Sequence, residues 1–189
     1  MANEDKAILK ILKNPYETYN SRSLSKIIGI SHAGMFKLLK KLEKEGVLIS
    51  KIIGKARIYS INFENSLAIK RAEFALMLEA HQKTKWIEEF KALKFETKST
   101  VLFGSITRNE KEAKDIDLLV IADKNKFKGI RQIISDKNKI TIKRIHLILQ
   151  NEEDFKNDLK NKNKAIIEII KTGIVLFGQE EFVKILKAK

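Results

Sequence analysis

The sequence contains no cysteine and only one proline and one tryptophan. The absence of cysteine excludes disulfide bonds, thiol catalysis and cysteine-ligated zinc, and it is typical of intracellular proteins. No apolar run approaches the about 18 residues that a membrane-spanning helix needs. The opening residues, MANEDKAILKILKN, are acidic and then amphipathic, unlike a signal peptide. We therefore expect a cytoplasmic, soluble protein without a membrane partner.

Acidic residues are scarce relative to basic ones. The 38 lysines and arginines exceed the 24 aspartates and glutamates, which gives a formal net charge of +14. This excess favours a polyanionic partner, with nucleic acid before a membrane surface. Hydrophobic residues make up 43% of the 189 residues, enough for one large domain or two small ones.

The most informative stretch is residues 100–122, which contains two apolar runs joined by a polar insert. The first run stops at Gly104-Ser105, and Asp115-Ile116-Asp117 opens the second. Side chains of a strand alternate between two faces, so both aspartates share one face and the apolar residues between and after them share the other.

The aspartate pair and the Gly-Ser turn predict related chemistry. Two neighbouring carboxylates repel each other unless a cation lies between them. Carboxylate oxygens on a strand suit Mg²⁺ or Mn²⁺, which bind one or two carboxylates together with substrate phosphates. At Gly104 the backbone can approach a phosphate closely, and the Ser105 hydroxyl can donate to it.

These residues resemble the signature of the DNA polymerase beta nucleotidyltransferase superfamily, and most of all its minimal stand-alone branch. The resemblance covers the chain from about Glu88 onward. It implies that Gly104 and Ser105 hold the triphosphate of an NTP, and that Asp115 and Asp117 are catalytic residues that hold Mg²⁺ or Mn²⁺. The alternative is an Asx-rich turn with two solvated acids.

A third carboxylate from a neighbouring strand normally completes the site in that family. The next predicted strand, Ile140–Gln150, carries no acid, and the nearest acids lie beyond its ends. His146 faces the same way as Arg144 and Ile148 on this strand. Two interpretations are open: His146 is a metal ligand, which suits Mn²⁺ or Zn²⁺ better than Mg²⁺, or it is a partly buried strand histidine. Weakened or lost catalysis is also open.

The N-terminal third predicts three short helices followed by a β-hairpin. The first helix is residues 4–13, because the only proline follows it. Ser23 is predicted to cap a second helix that Gly29 stops, and Ser31 to cap a third that runs to about residue 45. Apolar residues of the third helix recur at i, i+3, i+4 and i+7 and predict its core stripe: Met35, Leu38, Leu39 and Leu42.

Two strands, 47–53 and 56–62, are predicted to form a hairpin around Gly54-Lys55. Together with the helices they resemble the winged helix-turn-helix domains of prokaryotic transcriptional regulators. The resemblance implies binding of double-stranded DNA through the third helix and the hairpin. Its predicted contact residues are Ser31, His32, Lys37, Lys40, Lys41, Lys51, Lys55 and Arg57. The alternatives are a solvated basic face and a winged helix used for protein contact. For Phe36 we expect packing beneath the hairpin, with contact to a thymine methyl as the alternative.

Residues 64–93 predict helix throughout, since neither proline nor glycine interrupts them. We predict three segments: a DNA-binding domain (1–63), a connecting and dimerising helix (64–85) and a nucleotidyltransferase domain (86–189). The apolar part of Leu67–Leu78 is the predicted seam of a homodimer. Further predicted elements are a polar helix or loop at 123–137, helices at 154–159, 163–172 and 179–187, and a strand at 174–177. A left-handed cap at Gly173 is predicted to end the helix before that strand.

The expected fold class is α+β, with an N-terminal winged helix-turn-helix and a C-terminal mixed sheet with helices. We expect a DNA-binding regulator whose second domain binds NTP and a divalent metal and transfers a nucleotidyl group to a hydroxyl. By resemblance, the preferred acceptor is a small helical partner protein. The alternative is a regulator whose degenerate transferase domain only senses a nucleotide or binds a partner.

Overall fold

The computed structural model describes residues 1–187, which fall into two compact units. The N-terminal unit is Met1–Leu78, and the C-terminal unit begins at Glu79. The assignment of residues 64–85 as a separate connecting segment stays a prediction. No helix within residues 1–187 is both long enough and apolar enough to cross a membrane.

The N-terminal unit contains three helices, a hairpin and most of a longer helix, in the predicted order. They are α1 (Asn3–Leu12), α2 (Ser21–Ile28), α3 (His32–Lys44), β1 (Leu48–Ile53), β2 (Ala56–Ile61) and α4 (Ser66–His81). The two strands pair antiparallel, with Ile53 opposite Ala56 next to the turn. The Tyr59 amide also donates to the Tyr19 carbonyl at 2.9 Å, which attaches the segment before α2 to the hairpin.

Side-chain caps fix the starts of α2 and α3. Ser31 accepts a hydrogen bond from the Gly34 amide at 3.1 Å, as predicted. The prediction that Ser23 caps α2 is wrong, because Asn20 is the cap. The Asn20 side chain accepts from the Ser23 amide at 2.9 Å, and the Ser23 hydroxyl accepts from the Asn20 amide at 3.0 Å. Ser23 is therefore the third residue of a capping box.

The predicted stripe of α3 forms part of the core of the N-terminal unit. Met35, Leu39 and Leu42 are fully buried, and Leu38 is half-buried. Phe36, by contrast, is 45% exposed. It lines a groove together with Ala56 and Arg57 of the hairpin, so it lies beside the hairpin without being buried there.

Residues 64–93 are mostly helical, as predicted, but they do not form one continuous helix. The chain forms α4, then α5 (Thr84–Glu89), then a 3₁₀ helix at Lys91–Leu93. At the break, the Lys83 amide donates to the Ala80 carbonyl at 2.8 Å, and the Thr84 hydroxyl donates to the His81 carbonyl at 2.9 Å. These bonds satisfy carbonyls that a continuing helix would have paired, so the helix ends without proline or glycine.

The C-terminal unit is a four-stranded mixed sheet with helices, as predicted. Its strands are β3 (Ser99–Phe103), β4 (Asp115–Ile121), β5 (Arg144–Gln150) and β6 (Ile174–Phe177), in the order β5-β4-β3-β6. Its later helices are α6 (Phe127–Ile140), α7 (Glu152–Lys160), α8 (Lys164–Thr172) and α9 (Gln179–Lys187). Strand β3 is antiparallel to β4 and β6, and β4 is parallel to β5.

One face of the sheet packs against α5 and α6. Trp86 and Phe90 stack with their ring centroids 6.1 Å apart and join a buried cluster that includes Leu118 of β4 and Ile130 of α6. Residues of β4 on the opposite face, such as Leu119, are also fully buried. Burial on both faces explains the continuous apolar run after Asp117.

Position 173, between α8 and β6, requires glycine for a different reason from the predicted one. Gly173 has φ −74° and ψ 160°, which is extended backbone, so the predicted left-handed cap is wrong. A Cβ atom at this position would lie 2.5 Å from the Ile169 carbonyl oxygen and 2.7 Å from Val101 Cγ1. Close packing of α8 against the sheet therefore requires glycine here.

Candidate functional site

The turn after β3 depends on a glycine in the left-handed region. Gly104 has φ 80°, and a Cβ atom there would collide with the Asp117 carboxylate. Ser105–Thr107 then forms a 3₁₀ helix, and the Thr107 hydroxyl donates to the Gly104 carbonyl at 2.9 Å. The Ser105 side chain is exposed. Only glycine therefore allows the turn to lie directly against an aspartate.

The two aspartates lie on one face of the sheet, as predicted. Asp117 pairs with Phe103 of β3 on one side and with His146 of β5 on the other. The Asp117 side chain is 25% exposed and that of Asp115 is 42% exposed. Ile116, between them, is buried in the core on the opposite face. The strand thus presents both carboxylates to solvent beside the Gly104 turn.

His146 lies next to both carboxylates. Its Nδ1 atom is 3.4 Å from Asp117 Oδ1, and its Nε2 atom is 3.9 Å from Asp115 Oδ1. The imidazole side chain is 51% exposed. The parallel register of β4 and β5 places it there, because Asp117 and His146 are directly paired.

The acids that flank β5 in the sequence include Asp136 and Glu152, and both have other partners. Asp136 binds Lys139 at 2.7 Å, which holds the pKa of its carboxyl below the usual range. Glu152 binds Lys156 at 2.7 Å and Lys98 at 2.9 Å, which likewise lowers its pKa. Within residues 1–187, no three acid or imidazole side chains are arranged as a metal site. A third carboxylate is therefore absent from the described site.

The donor set still fits a hard divalent cation shared with a substrate. Asp115 and Asp117 supply carboxylate oxygens on one face, and Mg²⁺ or Mn²⁺ completes such a set with water and phosphate oxygens. Because Gly104 has no Cβ, the Asp117 carboxylate lies directly against the backbone of the turn. A phosphate can therefore approach the turn and the carboxylates together.

Lysines outside the polar insert hold it in place. Lys143 donates to the carbonyls of Glu110, at 2.9 Å, and Ala113, and Lys83 donates to the Thr107 carbonyl at 3.5 Å. Lys85 also forms an ion pair with Glu110. Sequence reasoning missed these contacts, because nothing in the sequence separates a lysine that pairs with backbone carbonyls from a solvated one.

A groove of about 270 Å³ adjoins the Gly104 turn. Its apolar lining includes Phe103 and Ile148 of the sheet and Ile169 of α8. Arg108 and Glu168 are the charged residues in this lining. The groove offers an apolar surface, one cation and one carboxylate beside the candidate phosphate position.

The outer edge of β5 is fastened by a side chain from α6. The side-chain oxygen of Asn138, Oδ1, accepts from the Ile145 backbone amide at 2.7 Å, and the side-chain nitrogen, Nδ2, donates to the Ile145 backbone carbonyl at 3.2 Å. Because β5 is at the edge of the sheet, these bonds replace those of a missing neighbouring strand. They help to fix the strand that carries His146.

The predicted DNA-contacting residues of the N-terminal unit fall into two groups. Lys37, Lys51 and Lys55 are exposed and form no ion pair within the described residues. Lys40, Lys41 and Arg57 do form ion pairs: Lys40 with Glu43 at 2.8 Å, Lys41 with Glu4 at 2.7 Å, and Arg57 with Glu43 at 3.3 Å. Half of the predicted basic face is therefore already paired with acids.

The other two predicted contact residues, Ser31 and His32, lie at the start of α3 and have hydrogen-bond partners. His32 Nε2 lies 2.8 Å from the Ser21 hydroxyl, and Ser31 is used as the α3 cap. Glu43 also accepts a hydrogen bond from the Ser50 hydroxyl, so it connects α3 to the hairpin. Sequence reasoning did not identify this role of Glu43, since a glutamate among lysines also suits a solvated helix face.

The mixed sheet with a glycine turn against paired aspartates defines a domain of the nucleotidyltransferase class. The polymerase beta nucleotidyltransferase family matches residues 85–182, just over half of the 189 residues, and the chain belongs to this family. No curated protein and no solved structure matches the chain.

Proposed function

We propose that the chain is a cytoplasmic DNA-binding regulator that carries an NTP-dependent nucleotidyltransferase domain. The observation that supports the second part best is the turn at Gly104, which has no room for a Cβ because it lies against the Asp117 carboxylate. A site that only needed a sharp turn would not need this contact with an acid on the next strand.

In the proposed reaction, an acceptor hydroxyl oxygen bonds to the α-phosphorus of the NTP while the bond to pyrophosphate breaks and the hydroxyl loses its proton. Bound Mg²⁺ or Mn²⁺ neutralises phosphate charge and lowers the pKa of the attacking hydroxyl. Gly104 and Ser105 hold the β- and γ-phosphates. Asp115 and Asp117 hold the cations, and Arg108 contributes positive charge from the adjoining groove.

Turnover can be tested directly. The full chain is mixed with each NTP and Mg²⁺ or Mn²⁺, with and without duplex DNA and candidate protein acceptors, and release of pyrophosphate is measured. We expect release that Asp115→Asn and Asp117→Asn both abolish. Lys128→Gln, which changes an exposed residue of α6 on the opposite face of the sheet, is the control and retains release.

The specific observation that favours the alternative function is the acid-free strand β5. Family members normally place a third carboxylate beside the pair, whereas His146 has this position here. In the alternative, the domain binds nucleotide and metal without transfer and acts as a sensor or a partner-binding domain. Binding of NTP without release of pyrophosphate with any acceptor would support it.

For the N-terminal unit, we propose a winged helix-turn-helix that binds double-stranded DNA. Support comes from the order of helices and hairpin, the Ser31 cap at the start of α3 and the exposed Lys37, Lys51 and Lys55. Binding of duplex DNA that weakens steeply with salt is the expected result. No binding at low salt would contradict this part of the proposal.

We also propose that the chain forms a homodimer through α4. Leu67, Phe74 and Met77 are each nearly half exposed, at 47%, 49% and 49%, and their spacing of seven and three residues places them on one side of the helix. The opposite side of α4 is buried, so the helix is apolar on both sides. Sedimentation tests this proposal. Wild type should sediment as a dimer and Phe74→Glu as a monomer, and a monomeric wild type would contradict it.

A further inference from the structure

The groove beside the Gly104 turn lies between the sheet and α8. Phe103 at the end of β3, Ile148 of β5 and Ile169 of α8 are part of its lining. Phe103 pairs directly with Asp117, so the groove adjoins the row of the sheet that carries this carboxylate. Its volume of about 270 Å³ is close to the lower end of small-molecule pockets, about 300–1,000 Å³. The groove therefore suits a small, largely apolar group attached to the phosphates rather than a segment of protein.

One face of α8 forms a wall of this groove. Ala165, Glu168, Ile169 and Thr172 line it, and their spacing places them on the same side of the helix. The Thr172 hydroxyl already donates to the Glu168 backbone carbonyl at 2.8 Å. The Glu168 carboxylate, by contrast, has neither an ion pair nor a hydrogen bond within residues 1–187. It is therefore available as an acceptor for a ligand.

An unpaired carboxylate is unexpected in so basic a chain, where 38 lysines and arginines face 24 acidic residues. Glu43, for example, pairs with both Lys40 and Arg57. Glu168 shares the groove with Arg108, yet the two do not form an ion pair in the described part of the chain. The groove thus offers a cation to an anionic end of a ligand and a carboxylate to a hydrogen-bond donor on the same ligand.

A carboxylate recognises a particular arrangement of donors. It accepts hydrogen bonds and donates none, and its two oxygens can accept from two neighbouring donors at once. Guanine presents such a pair, the N1–H and the 2-amino group, on its Watson–Crick edge. Adenine and cytosine place an acceptor nitrogen beside their amino group, and uracil places a carbonyl on each side of its N–H. Each of these three bases therefore brings an acceptor against the carboxylate.

We propose that this groove holds the guanine base of GTP, with the Glu168 carboxylate accepting from N1–H and the 2-amino group and with Ile148 and Ile169 packing against the ring. The inference rests on nucleotide binding by the proposed transferase domain and adds which nucleotide the domain takes. Arg108 meets the phosphates of the same nucleotide. Glu168 determines specificity and takes no part in the transfer step.

The test measures binding of GTP, ATP, CTP, UTP and inosine triphosphate to the full chain with Mn²⁺ by isothermal titration calorimetry. Wild type is expected to prefer GTP. It should bind inosine triphosphate about tenfold more weakly than GTP, because that nucleotide lacks the 2-amino group and so loses one hydrogen bond to a charged acceptor.

Glu168→Gln is expected to lose this difference between GTP and inosine triphosphate, because an amide side chain has one acceptor oxygen instead of two. The ratio of affinities is the readout, since removal of a negative charge near a triphosphate strengthens binding of every nucleotide. Glu153→Gln, which changes an exposed acid of α7 outside this groove, is the matched control and keeps the ratio of wild type.

A second variant tests the position of the base. Ala165→Trp puts a large side chain into the groove, so GTP binding should weaken about tenfold or more because the base can no longer be buried. Inorganic triphosphate with Mn²⁺ carries no base, and its binding should stay unchanged. Equal losses for both ligands would place the groove at the phosphates and overturn the proposal.

The remaining outcomes separate this inference from the proposed function. Binding of NTPs without a preference for GTP, or with a preference that Glu168→Gln leaves unchanged, overturns the inference and leaves nucleotide binding intact. A wild type that binds no NTP with Mg²⁺ or Mn²⁺ refutes nucleotide binding and the inference with it. Thermal unfolding without nucleotide completes the test, because a Glu168→Gln chain that is much less stable than wild type would assign the carboxylate to a partner inside the chain and overturn the proposal.

Discussion

The two candidate sites differ in what holds their residues in position. In the C-terminal unit, strand pairing and the left-handed Gly104 place the aspartates and the turn against each other. In the N-terminal unit, the basic residues are exposed side chains, and several of them pair with Glu4 or Glu43. A site held by backbone geometry is lost through one change, whereas a site made of summed charges is lost in small steps.

The largest expected effect is that of Asp117→Asn on nucleotide binding. A ligand that binds only the folded chain adds about 2.7 kcal/mol to the free energy of unfolding at a hundredfold excess over Kd. We expect wild type to gain stability with NTP and Mn²⁺ and Asp117→Asn to gain none, measured by thermal unfolding. Duplex affinity should be the same in both. A wild type that no NTP stabilises with Mg²⁺ or Mn²⁺ would contradict both proposed functions of the domain.

Gly104→Ala is expected to have the next largest effect, and Gly54→Ala is its matched control. Both glycines are left-handed, with φ 80° and 58°, but a Cβ at Gly54 meets open space and one at Gly104 meets the Asp117 carboxylate. Each change costs about 1–2 kcal/mol in backbone strain. Only Gly104→Ala should also lose stabilisation by NTP and Mn²⁺. Equal NTP responses of the two variants would show that the contact with Asp117 does not matter for binding.

Smaller effects are expected at the basic face. Lys51→Gln should reduce the salt slope of duplex binding by about 0.9, since it removes an exposed charge without an acidic partner in the described chain. Lys41→Gln should reduce the slope less, because Glu4 already neutralises this lysine. Salt titrations of both variants measure the difference. Equal slopes would mean that intramolecular pairing does not reduce the contribution of a lysine.

The smallest expected effect is the pH dependence of Glu43. Lys40 and the Ser50 hydroxyl lower the pKa of Glu43 below its ordinary value of 4.5. The stabilisation is therefore present above that value and is lost as the pH falls below it through the lowered pKa. Solvent screening keeps it small. We expect the unfolding free energy of Glu43→Gln to lie below that of wild type at neutral pH and to approach it in acid, and parallel curves would contradict this.

The sequence allowed prediction wherever a pattern was local. Alternation around Asp115 and Asp117 predicted their shared face, and the Ser31 signal predicted the start of α3. The break after His81 was missed because backbone and hydroxyl bonds of Lys83 and Thr84 end the helix without a local breaker residue. Contacts between distant residues, such as Lys143 with the polar insert, leave no periodic signal in the sequence.

The position of each candidate site residue also depended on long-range information. The isolated strand sequence showed that His146 points away from Ile145, but not that it faces the aspartates. This placement comes from the pairing of β4 with β5. The cap of α2 shows the same limit at short range, because Asn20 and Ser23 are both acceptable capping residues and only the backbone conformation distinguishes them.

The Asn138 side chain binds the backbone of Ile145. The number of residues between α6 and β5 therefore determines which side chains of β5 face the aspartates. Because Asn138 binds main-chain atoms, it would hold whichever residue arrives at that position. One inserted or deleted residue in the connection would therefore shift β5 by one step, turning the imidazole into the core and an aliphatic side chain toward the aspartates. Substitutions in residues 141–143 can accumulate during evolution without this effect, whereas a change in their number cannot.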